Sequence, residues 1–218
     1  MVEWCTDEIE SRTPSFASAY GSGTLIRSMR VIAGRFKSRS LRSLPGSATR
    51  PTSDKLRGTL FNVLTAGNPD ALDGSVWLDL FAGTGAVGIE ALSRGARHVT
   101  FVDKNKAAAR VIRENLRSLG IQEGFELIEA EVTRALRDLS AREFTADYIF
   151  IDPPYALEEA YQETLAFLGG STILTSASLI IAEHDKRDDP GEEFGEWKRS
   201  RGLEQGDSRL SFYRRARR

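Results

Sequence analysis

The chain of 218 residues has a single cysteine, Cys5, and two histidines, His98 and His184, that lie far apart in sequence. One thiol excludes a disulfide framework and a thiolate metal cluster, and two isolated imidazoles make no ligand-spaced pair. No metal is expected, and a reducing cytosol is the compartment these counts fit. No apolar run approaches the roughly 18 residues that span a bilayer. Glu3, Asp7, Glu8 and Glu10 stand where a secretory leader would have its basic start. A charge excess is missing too, the formal net charge being −1. What is present is 40% hydrophobic residues, enough for one main core. Residues 1–28 are rich in Ser, Thr, Gly and Ala without a sustained apolar period, and read as a disordered extension with no assigned function.

From Val76 onward, apolar runs alternate with helical patterns. Strands are expected at Val76–Phe81, His98–Asp103, Phe125–Ala130, Asp147–Asp152 and Leu179–Glu183. Helices are expected at Gly88–Ser93, at Lys106–Leu119 closed by Gly120, near Thr133–Leu139, and ahead of Gly169-Gly170. This spacing predicts βαβ units: an α/β, Rossmann-like, mostly parallel doubly wound sheet with both faces covered. The alternation in Ser208–Tyr213 adds a C-terminal antiparallel hairpin with the stretch near Trp197. Met29–Leu44 reads as a small N-terminal β-hairpin and Ser53–Leu64 as an amphipathic helix.

Asp79-Leu80-Phe81-Ala82-Gly83-Thr84-Gly85-Ala86-Val87-Gly88 falls where the first strand turns into a helix. Glycines there allow a tight turn and close approach of a ligand to the backbone. The match to GxGxxG alone is weak. Asp79 sharpens it, because a carboxylate at that place repels a pyrophosphate but suits a cationic ammonium such as that of S-adenosylmethionine. Asp103, 20 residues beyond Gly83, is placed to accept from ribose hydroxyls. Phe81, Lys104, Glu131, the Val132 backbone and Asp152 complete the expected contacts to the methyl donor, Glu131 reaching toward the adenine amino group. An NAD oxidoreductase shares the ribose contact, but Asp79 argues against it.

The fourth strand ends in Asp152-Pro153-Pro154-Tyr155. The prolines fix φ and offer no N–H, so the carbonyls are held as acceptors. Asp152 and the Pro153 carbonyl can accept both hydrogens of a planar amine and favour a pyramidal nitrogen with an available lone pair. Pro154 keeps the loop rigid. Tyr155 offers a flat face for an extruded base.

Between Met29 and Asn62 stand Arg30, Arg35, Lys37, Arg39, Arg42, Arg50, Lys55 and Arg57 against one acid, Asp54. That one-sided run has the footprint of a phosphate-binding surface. The candidate RNA contacts are Arg30, Arg35, Lys37, Arg39, Arg50, Thr52, Lys55 and Arg57.

Four blocks resemble the RsmD family of bacterial 16S rRNA guanine-N2 methyltransferases: Met29–Gly34, Arg50–Arg57 leading to Leu60-Phe61-Asn62, Asp79–Gly85 running on to Ala96, and Asp152–Tyr155. Gly206–Tyr213 is similar to the family's closing strand. Gly58 departs from the pattern, which usually has a glutamate there. The resemblance implies a class I S-adenosylmethionine-dependent fold. It also implies methylation of the exocyclic N2 of one guanine in 16S rRNA, within the 30S subunit or an assembly intermediate. The enzyme would be a monomer without metal. Residues 29–67 would form the RNA-binding part and 68–218 the methyltransferase domain. Two alternatives stay open: an adenine-N6 methyltransferase, for which the chain has no room for the usual DNA-recognition insert, and a non-catalytic RNA-binding assembly factor that keeps the fold.

Overall fold

The computed structural model describes residues 29–44, 53–154 and 158–216. The proposed extension at residues 1–28 lies outside them, as do Arg50, Thr52 and Tyr155. Helix α1 (Asp54–Leu64) starts at Ser53, whose hydroxyl accepts from the Leu56 N–H. Then follow β1 (Val76–Leu80), α2 (Ala86–Ser93), β2 (His98–Val102), α3 (Lys106–Leu119), β3 (Phe125–Ile128), α4 (Val132–Ala141), β4 (Ala146–Ile151), α5 (Glu158–Gly169), β5 (Leu174–Asp185), β6 (Glu193–Phe194), β7 (Trp197–Gln205) and β8 (Ser208–Arg215). Asn105 caps α3, and Gly120 ends it with φ of 74°, a left-handed turn that glycine adopts without a Cβ clash.

The strands form one eight-stranded sheet in the order β3-β2-β1-β4-β5-β8-β7-β6. The first five are parallel, and β8 joins β5 antiparallel. Successive side chains on each parallel strand are buried on opposite faces. Trp77, Phe101, Phe150 and Ile181 pack under α1, α2 and α3, whereas Leu78, Val102, Ile149 and Ile180 pack under α4 and α5. Chain order reverses between β1 and β4, the switch point at whose carboxyl edge open α/β sheets form their ligand-binding crevice.

The N-terminal segment folds back on itself as a short hairpin: Arg30 and Ser40 form an antiparallel bridge, flanked by bonds from the Val31 N–H to the Arg39 carbonyl at 2.9 Å and from the Leu41 N–H to the Met29 carbonyl at 2.7 Å. N–H groups between the arms turn to α2. Ile32 and Ala33 donate to the Glu90 carboxylate at 2.7 and 2.9 Å, Arg35 donates to the Ser93 carbonyl and Phe36 to the Ser93 hydroxyl. Met29, Val31 and Leu41 share an apolar cluster with Leu60, Phe61 and Trp77. Among the described residues no helix is long and apolar enough to cross a membrane.

Candidate active site

The site is built at the ends of β1, β2 and β4. Asp79 lies between Phe101 and Phe150 in the ladder, so its side chain shares their face of the sheet. The last paired row is Val102, Leu80 and Ile151. Asp103 and Asp152 follow directly on β2 and β4, flanking Phe81. Strand alternation gives both the parity of Asp79. The register thus brings three acids from three adjacent parallel strands to one edge.

Asp79 is buried, and its Oδ2 accepts from the Gly88 N–H at 2.9 Å. Burial pushes its pKa from an ordinary 3.8 up to about 8, the Gly88 bond opposing and the neighbouring Asp103 charge reinforcing the rise. Asp103 is raised as well, chiefly by burial, against hydrogen bonds from Asn105 and Gly83. Its Oδ2 takes the Gly83 N–H at 2.8 Å and its Oδ1 the Asn105 N–H at 2.7 Å. The carboxylate therefore braces the glycine loop while keeping lone pairs for a ligand. Phe81 has φ of +58°, an uncommon conformation for a non-glycine residue and one found preferentially at functional edges. A Cβ on Gly88 would lie 2.3 Å from the Phe101 ring, so the helix can approach the strand only as glycine. Across the rim, Lys104 Nζ and Glu131 pair at 3.2 Å, both half-exposed, and Val132 is buried at the start of α4.

On the other side of the crevice Asp152 is partly exposed, Pro153 buried and Pro154 exposed. The basic front divides into two kinds of cation. Arg35, Lys37, Arg39 and Lys55 are exposed, with the Arg35 guanidinium over the Phe36 ring and Arg39 donating to the Ser118 carbonyl. Arg30 is exposed beside Asp54 at 3.7 Å. Arg57 is the correction: expected to face RNA, it is fully buried. It bonds the Arg30 carbonyl and Asp54, and lies 3.9 Å from Glu90. Its position on α1 turns it toward the sheet, where it joins the front segment to α2.

Glu90, Arg94, Asn115 and Thr59 escaped the sequence reading. Glu90 had one signal, an acid in the otherwise apolar helix Ala86-Val87-Gly88-Ile89-Glu90-Ala91-Leu92. Such a charge needs buried partners, here two N–H groups and Arg94 Nε at 2.7 Å. Asn115 and the Thr59–Gln205 contact at 2.8 Å join segments too distant in sequence to be paired by pattern.

A mostly parallel sheet in this strand order, with a glycine loop and acidic strand ends at its switch point, is the class I methyltransferase fold. The solved structure of yhhF from Escherichia coli superposes with a TM-score of 0.74 at 27% identity, covering 87% of this chain and 98% of that one. The family model described as Conserved hypothetical protein 95 matches residues 29–214. The Bacillus subtilis (strain 168) protein YlbH is 36% identical over 187 residues, 86% of this chain and 99% of that protein. Ribosomal RNA small subunit methyltransferase D of Haemophilus influenzae is 34% identical over 159 residues, 72% of this chain and 79% of its own length. The chain belongs to this family, the RsmD family.

Proposed function

We propose that this protein transfers a methyl group from S-adenosylmethionine to the exocyclic N2 of a guanine in 16S rRNA, presented in the 30S subunit or an assembly intermediate. The observation that supports the reading is the register of β1 against β4, which pairs Asp79 with Phe150 and Leu80 with Ile151, so that Asp152 follows the strand next to the one that carries Asp79. The residues fit the methyl donor. Asp79 is a buried carboxyl whose pKa of about 8 reports an environment with no compensating cation, and a cationic ligand would supply one. At Gly83 a Cβ would meet nothing nearer than 3.9 Å, leaving the approach to the loop open. Asp79, Phe81, Gly83 and Gly85 would hold the methionine end, Asp103 and Lys104 the ribose, and Glu131 and Val132 the adenine. Bound there, S-adenosylmethionine would supply an electrophilic methyl group.

The chain's own residues then prepare the amine. The Asp152 carboxylate and the Pro153 carbonyl accept its two hydrogens, leaving the nitrogen lone pair directed away from both. As the nitrogen gains a fourth bond and positive charge, Asp152 offsets that charge and accepts the proton that leaves. Pro154 fixes the loop, and Tyr155 is assigned to stack on the extruded base. Arg30, Arg35, Lys37, Arg39, Arg50, Thr52 and Lys55 would contact RNA. The name of the Haemophilus relative, a small-subunit rRNA methyltransferase, supports this substrate.

The test is nucleoside mass analysis of 16S rRNA after incubating unmethylated 30S subunits with the protein and isotopically labelled S-adenosylmethionine. Label in N2-methylguanosine is expected. Label only in N6-methyladenosine would assign the same amine grip to adenine, and absence of label would remove the catalytic reading.

A further inference from the structure

The glycine loop is held from outside by a residue that touches neither end of the crevice. Asn115 on α3 is fully buried, and both hydrogens of its carboxamide and its oxygen are hydrogen-bonded. Oδ1 accepts from the Arg42 N–H at 2.7 Å, and Nδ2 donates to the Arg42 carbonyl at 3.2 Å and to the Thr84 carbonyl at 3.0 Å. One side chain therefore clamps both backbone groups at the end of the basic front segment and the central peptide of Gly83-Thr84-Gly85. The other side of Thr84 meets the same segment, its hydroxyl lying 3.6 Å from the Met29 sulfur.

Thr84 is flanked by glycines at φ of 55° and 74°. The Thr84–Gly85 peptide is held from both sides: the Gly85 N–H donates to the Ala82 carbonyl at 2.7 Å within the loop, and the Thr84 carbonyl accepts from Asn115 outside it. The Gly83 N–H is held by Asp103. With glycine on either side, a peptide plane that loses the outer bond can turn at little steric cost. Arg42 beyond the clamp is exposed and pairs with Glu114 at 3.1 Å, while Arg39 beside it reaches the carboxyl end of α3. Phosphate contacts to these arginines would act on the backbone that Asn115 holds.

Resting on the methyltransferase reading, we propose that Asn115 is a positioning residue that couples RNA engagement by the front segment to the conformation of the loop that binds the methyl donor. RNA that grips residues 39–42 would further hold the clamp on the Thr84 peptide, and by reciprocity ligand bound on the loop strengthens RNA binding.

The experiment is equilibrium binding of tritiated S-adenosylhomocysteine, with and without saturating unmethylated 30S subunits. In the wild-type protein the subunits are expected to lower its Kd at least about fivefold, the lower end of ordinary coupling. Asn115→Asp keeps an acceptor for Arg42 but has no hydrogen for the Thr84 carbonyl, and is expected to bring the ratio close to one. Asn115→Ser is a second, smaller replacement, with thermal melting as the check on folding. A wild-type ratio of one overturns the inference whatever the variants do, as does a full ratio in a folded Asn115 variant. Wild-type protein that binds neither S-adenosylhomocysteine nor 30S subunits removes the methyltransferase reading and the inference with it. Binding of both without coupling removes the inference alone.

Discussion

Asp79 is a carboxyl whose burial works against its charge. Its pKa of about 8 stands above the ordinary 3.8, so folding favours the protonated form. Stability from this group is present below pH 4 and is lost as pH rises through about 8. Asp79→Asn retains an acceptor for the Gly88 N–H without the buried charge. Its melting temperature should therefore gain on the wild type between pH 5 and pH 8. The same shift predicts proton release when the cationic methyl donor binds, since a positive ligand lowers the carboxyl pKa. Calorimetry at pH 7 in buffers of different ionisation heat should show protons leaving the wild-type complex and fewer leaving the weakened Asp79→Asn complex. Equal release from both would place the ligand elsewhere. The places of Asp79 inside β1, and of Asp103 and Asp152 directly after β2 and β4, were legible in the sequence because each acid interrupts or follows an apolar run. Arg57 was misread because its charge was visible and its orientation was not: pattern alone does not say which face of a short helix meets the sheet.

Among the elements, the parallel core and α3 followed from local rules, the alternation of apolar runs and the Gly120 stop. The seating of the front segment did not, because beside the bonds between its own arms it donates to α2, nearly 60 residues away in sequence. Its seating turns on Glu90 and Gly34. Glu90 is fully buried and gathers Ile32, Ala33 and Arg94, with Arg57 beside it. Removing one partner of such a buried cluster leaves the others uncompensated, at a cost of about 3–5 kcal/mol. Urea denaturation of Glu90→Ala should show a loss of that order, with part restored when Arg57→Met is added. At Gly34, with φ of +77°, a Cβ would stand 1.9 Å from the Ser93 carbonyl oxygen. Gly34→Ala should thus displace the front segment from α2, seen as new proteolytic cleavage within residues 29–44. An intact segment in that variant would contradict the seating described here.

For the whole molecule, a net charge of −1 conceals a local excess that composition cannot show. The exposed cations Arg35, Lys37 and Arg39 lie together on the front segment, which is seated on α2 on the α1–α3 side of the sheet. Double charge reversal of Arg35 and Lys37 should weaken 30S binding and reduce the slope of log affinity against log salt by about 0.7–0.9 for each phosphate no longer neutralised. An unchanged slope would give this surface another role. The account as a whole stands on Asp152 acting across the crevice from Asp79. Its most direct measurement is the single-turnover rate of methyl transfer to unmethylated 30S subunits by Asp152→Ala, with S-adenosylhomocysteine affinity determined on the same preparation. The expected result is a fall of roughly 100-fold or more in rate, the scale of losing a positioned acid–base or electrostatic group, with the affinity changed only severalfold. Transfer at the wild-type rate by the substituted protein would contradict it.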